Sequence, residues 1–235
     1  MTEDVVLRKR EAVPDPRASI WRRFTLLTLL GAAGGALFVP FIAAGSADTP
    51  DLPVLLASFA IGSAFVTGLA ALFGLRWADQ VACPMPWLRA WEAGERPEID
   101  WRTGFQPAIF GAGLGILAAC VATLIGVPEN PGSLLVRLAT VPFAAIVPEV
   151  LVHLFVMSGL VLVLKRAGPA ILLSALVFVF IFHGNPPGDD VVVPVFIAGL
   201  NFSLGLLTGW LYWARGFGAA VLAHGAAHFL VLAIN

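Results

Sequence analysis

The chain has 235 residues and a formal net charge of -1; 12% of its residues are charged, 59% are hydrophobic, and its mean hydropathy is +0.89. That balance is too apolar and too poor in charge for an ordinary soluble domain, and it offers no concentrated basic surface for nucleic acid. An integral membrane protein is what remains: an all-α, polytopic helical bundle whose length leaves room for about seven spans of roughly 20 residues each.

Apolar windows bounded by charge or by Pro and Gly place the spans near Phe24 to Ala44, Pro53 to Leu75, Gly104 to Gly126, Leu138 to Leu164, Ala167 to His183, Val191 to Trp213 and Phe217 to Ile234. Residues 1-23 form a charged N-terminal segment, 24-126 hold three spans, and 133-235 hold four. Arg8, Lys9, Arg10, Arg17, Arg22 and Arg23 precede the first span, whereas the next loop offers only Asp48 and Asp51. Arg76, Arg89, Arg96 and Arg102, then Lys165 and Arg166, then Arg215 fall in alternate loops, which predicts an N-in, C-out topology. Arg22 and Arg23 before an apolar run also raise a signal peptide, but the run is too long for one, so an uncleaved first helix is expected.

Tryptophan prefers the membrane interface, and Trp21, Trp77, Trp87, Trp91, Trp101, Trp210 and Trp213 all map to the side assigned as cytoplasmic. Pro86 to Trp101, with Trp87, Leu88 and Trp91 among charged residues, reads as a short interfacial helix. Glycines four residues apart, Gly31 with Gly35, Gly111 with Gly115 and Gly205 with Gly209, are packing faces that let helix backbones approach. Cys83 and Cys120 match no metal-ligand spacing and read as structural thiols.

All four histidines lie in the second half, in or at the ends of apolar runs, and Glu149 shares that setting. Ionisable groups cost roughly 2.5-3.5 kcal/mol at mid-span, so such a cluster marks a functional site. Glu149 with His153, and His224 with His228, each share one face of a regular helix, while His183 ends the fifth apolar run. Pro142 and Pro148 predict a kinked or interrupted fourth helix. Three chemistries fit. Glu149 could activate water as a general base; His183, His224, His228 and Glu149 could bind a divalent metal, or the imidazoles a haem-type macrocycle; or the group could only hydrogen-bond helices together.

The stretch from Phe202 to His228, with Gly205, Gly209, Trp210, Tyr212, Arg215, Gly216 and His224 in matching places, resembles the closing motif of the CPBP intramembrane endopeptidases, which include the type II CAAX prenyl proteases. Pro148-Glu149-Val-Leu-Val-His153 looks like the family's Glu-Glu-x-x-x-Arg, and Val179-Phe-Ile-Phe-His183 like its Phe-x-x-x-His. The resemblance covers roughly the last hundred residues. In the register favoured by the hydrophobic pattern, Pro148 takes the first glutamate's slot and His153 the arginine's, and His228 stands where the family has asparagine.

The resemblance implies a membrane-embedded peptidase of the inner (plasma) membrane acting on a membrane-associated peptide or protein, with no cofactor required. In it Glu149 and His183 polarise a water, His224 and His228 steady the oxyanion, and His153 orients Glu149 or carries a second proton. The alternative is a catalytically lapsed scaffold that binds a partner within a membrane complex.

Overall fold

A computed structural model describes residues 20-46, 51-127, 131-182 and 191-234. The N-terminal segment and the loops with Asp48, Glu129, Asp189 and Asp190 lie outside the described residues, as does His183. Among the described residues every regular element is helical: α1 Ile20–Gly45, α2 Leu52–Gln80, α3 Pro86–Ala93, α4 Trp101–Leu124, α5 Leu134–Leu164, α6 Ala167–Phe182, α7 Val192–Arg215 and α8 Phe217–Ile234. Six are long and apolar enough to cross a bilayer, and α6 is a shorter apolar helix in the place of the fifth expected span. The result is a polytopic helical bundle.

Local signals set the boundaries. Asp51 caps α2 by accepting from the Val54 N–H, with Pro53 in the first turn. Asp100 and Thr103 form a reciprocal capping box at the start of α4, whose first turn, Trp101–Phe105, is a π-helix. The interfacial helix is shorter than the sequence predicts: it stops at Gly94, which takes the left-handed conformation (φ 75°), and the chain to Asp100 is irregular.

α5 has 31 residues, so a straight helix would run about 46 Å, well beyond a hydrocarbon core of about 30 Å. It is interrupted instead. A turn at Ala139 and Thr140 separates its first residues from the rest. Pro148 then disturbs the ladder: the Glu149 N–H reaches back to Ile146, and residues Glu149–Met157 form a π-helix. The Ser158 N–H reaches back five residues, to the His153 carbonyl. Proline has no N–H to give, and inserted π turns recur at functional positions.

Close packing holds the bundle. A side chain at Gly111 would run into the Ala223 carbonyl and one at Gly115 into the Ala227 carbonyl, so these glycines let α4 lie directly on α8. Gly31 and Gly35 bring α1 onto Thr67 and Ser63 of α2, and Gly74 brings α2 onto the Leu154 carbonyl of α5. The main core cluster, with Leu27, Leu75, Val150, Leu154, Met157 and Tyr212, joins α1, α2, α5 and α7.

Charge collects at one end. Arg23, 5% exposed, grips Asp79 with two hydrogen bonds of 2.9 and 3.2 Å. Its Nε also lies 3.1 Å from Glu92 Oε2, an ion-pair contact without hydrogen-bond alignment. Arg89 reaches Asp79 at 3.2 Å, and Arg22 donates to the Glu92 carbonyl. Arg215 donates to the Arg102 carbonyl and lies over the rings of Trp210 and Phe110. These are the loops that the positive-inside rule assigns to one side.

Two contrasts test this packing, both read by melting in detergent. Gly111→Ala should cost about 1-3 kcal/mol through overpacking, whereas Gly113→Ala, whose Cβ meets nothing within 4 Å, should stay within about 0.5 kcal/mol of the parent. Arg23→Gln leaves the buried Glu92 carboxylate without its cation and Asp79 with Arg89 alone, and should cost about 3 kcal/mol or more. Arg89→Gln, at a half-exposed position, should cost about 1 kcal/mol or less.

Candidate active site

The interrupted α5 presents Glu149 inward, with no exposed surface. Each of its carboxylate oxygens meets a different imidazole. Oε1 is hydrogen-bonded to His224 Nδ1 of α8 at 2.9 Å, across 75 positions of sequence. Oε2 lies 2.6 Å from His153 Nδ1, one turn further along α5, in a close approach off the hydrogen-bond axis. Glu149, His153 and His224 thus form one buried triad in which the carboxylate joins two helices.

α7 closes the triad from another side. His153 Nε2 faces the Gly205 carbonyl at 3.3 Å, and a Cβ on Gly209 would stand only 3.2 Å from that same nitrogen. Gly205 itself lies against Ala175 of α6, where a Cβ would come within 3.0 Å of the Cα. The Gly205–Gly209 pair therefore serves helix packing, as its spacing suggests, and also opens the space that His153 fills. Tyr212, one turn on, donates to or accepts from Ser158 at 2.8 Å, and its ring lies 6.1 Å from that of His153.

Phe178 of α6 covers the triad. Its ring centroid is 5.5 Å from His224 and 6.5 Å from His153, and it is 2% exposed. The sequence reading passed over Phe178, since one phenylalanine in an apolar run carries no mark; it lies five positions before His183, next to the segment that resembles the Phe-x-x-x-His motif.

His228 has a different partner. Its Nε2 is 3.2 Å from the Thr140 hydroxyl, and that hydroxyl donates to the Arg137 carbonyl at 2.7 Å. The single hydroxyl proton is thereby spent, so His228 is the donor and carries Nε2–H. His228 shares a helix with His224 but ties α8 to the turn in α5, apart from the carboxylate. Thr140, 1% exposed, was also unmarked in the sequence.

Chemically, a buried carboxylate between two imidazoles can hold and pass protons. Among the described residues no group of three or more His, Cys, Asp and Glu side chains is arranged to hold a metal ion. In the triad each Nδ1 lies beside a different carboxylate oxygen, His224 hydrogen-bonded to Oε1 and His153 close to Oε2.

No curated protein and no solved structure matches the chain. A family model described as type II CAAX prenyl endopeptidase Rce1-like matches residues 130–230. That stretch holds Glu149, His153, His224 and His228, and the match agrees with the resemblance carried by the Phe202 to His228 motif. Over residues 130–230 the chain is similar to that family.

Proposed function

We propose that this protein is an intramembrane peptidase of the CPBP type, cutting a peptide bond in a membrane-associated peptide or protein. The observation that carries the reading is the Glu149–His224 hydrogen bond deep in the bundle, inside the Rce1-like stretch. A carboxylate backed by an imidazole is general-base equipment: Glu149 takes a proton from water as it attacks the carbonyl, and His224 moves protons and steadies the developing oxyanion.

His228 turns toward the oxyanion once Thr140 releases its Nε2–H, and His183 completes the set that the resemblance implies. The apolar helices support a lipid bilayer as the medium, and the charged end supports an N-inside orientation in the inner membrane. Neither a nucleic-acid partner nor a cofactor is part of this reading.

Glu149 has no exposed surface, so hydrolysis requires water and substrate to enter between helices.

A second reading, a catalytically lapsed scaffold that binds a partner, draws on the same triad. Both carboxylate oxygens are occupied by imidazoles, and Pro148 stands in the slot of the family's first glutamate. Comparing membrane-protein N-termini by mass spectrometry, in cells with the native chain and with Glu149→Gln at equal expression, separates the two. The peptidase reading predicts new N-termini only with the native chain. Identical N-termini, with the variant stably inserted, contradict it and favour the scaffold. Elemental analysis and an absorbance spectrum of the purified protein should show neither a stoichiometric metal nor a haem band; either one would shift the reading to a cofactor site.

A further inference from the structure

His153 lies between two acceptors. On one side is the Gly205 carbonyl, 3.3 Å from Nε2, and a carbonyl oxygen can only accept. Nε2 must therefore carry a proton. A neutral ring protonated there has a bare lone pair on Nδ1, yet Nδ1 stands 2.6 Å from Glu149 Oε2. Although the contact is off the hydrogen-bond axis, an unprotonated nitrogen and a carboxylate oxygen at that separation, in a site with no exposed surface, repel each other with no water to intervene. A proton on either atom turns that repulsion into attraction.

We infer that His153 keeps one proton on Nε2 and shares a second with Glu149, so that Glu149, His153 and His224 together form a neutral cluster. The shared proton rests on His153, as an imidazolium beside a carboxylate, or on Glu149, as an acid beside a neutral ring. The net charge is zero in both. His224 adds its own Nδ1–H toward Oε1.

The surroundings agree. Among the described residues, His153 faces, besides Glu149, the rings of Phe178 and Tyr212, the latter's hydroxyl engaged by Ser158, and the Gly205 and Gly209 backbone. No lysine or arginine is among them. A lone carboxylate there would be a buried charge balanced only by neutral dipoles, which is costly. The imidazole in the slot that resembles the family's arginine supplies the missing cation.

His153 is thus a positioning residue that keeps the Glu149 site electrically neutral. The assignment stands on geometry; its consequence for hydrolysis rests on the peptidase reading. In that reading the pair must be in the imidazolium–carboxylate form when water is activated.

The test is solid-state NMR of the native, uniformly 13C,15N-labelled full chain in lipid bilayers at neutral pH. His153 is assigned by through-bond connections, so that no variant need fold. Two results support the inference: both His153 nitrogens protonated beside an ionised Glu149, or Nε2 protonated with bare Nδ1 and a Glu149 carboxyl carbon of the acid type. Two results overturn it: a bare Nε2, or a bare Nδ1 beside an ionised Glu149. The spectrum reports the proton whether or not any peptide is cleaved, so failure of the peptidase reading would show separately in the N-terminal comparison.

Discussion

A carboxylate with no exposed surface, buried in a membrane-spanning bundle, has to be satisfied from within the protein. Glu149 meets two imidazoles: His224 of the last helix hydrogen-bonds Oε1, and His153 of its own helix stands close to Oε2 off the hydrogen-bond axis. Removing His224 would leave Oε1 without its donor, and removing His153 would take away the one group beside Oε2 that can carry a positive charge. The stretch that matches the family model, residues 130–230, is arranged around that requirement.

The demand explains features that would otherwise be unrelated. Pro148 withholds an N–H just before Glu149, and the π-helix that follows spaces Glu149 and His153 along one face. α8 must lie close enough for His224 to reach across, and its path is set on the far side by Gly111 and Gly115 of α4 beneath its backbone carbonyls. α7 must approach His153 at a point where a side chain would collide, and Gly205 and Gly209 stand there. Phe178 closes the remaining side with an apolar ring, keeping the effective dielectric low and the polar contacts strong.

How much of this was legible in the sequence follows from the range over which each signal acts. Hydropathy and charge act along the chain, so the membrane class, the helices and the gathering of Arg22, Arg23, Arg89 and Arg215 at one end were readable. Helical spacing relates residues on one helix, so Glu149 and His153 could be paired. Pro148 announced the break in α5, though whether it would be a kink or a run of π-helix depends on neighbours. Spacing says nothing about meetings between helices. That His224 reaches Glu149 while His228, one turn away, turns to Thr140 is decided by how α8 sits against α5. Phe178 and Thr140 carry no mark of their own because apolar rings and hydroxyls are common in such helices. The family match reaches the residues of the triad but is silent on their protons, which only the contacts of His153 address.

The central claim is that Glu149 and His224 are coupled and do not merely lie near each other. A double-mutant cycle measures this directly, using Glu149→Gln, His224→Gln and the double variant, with unfolding followed in detergent. The account predicts a coupling energy of about 1.5-3 kcal/mol, the range of a hydrogen bond to a charged group. Additivity of the two substitutions to within about 0.5 kcal/mol would contradict it.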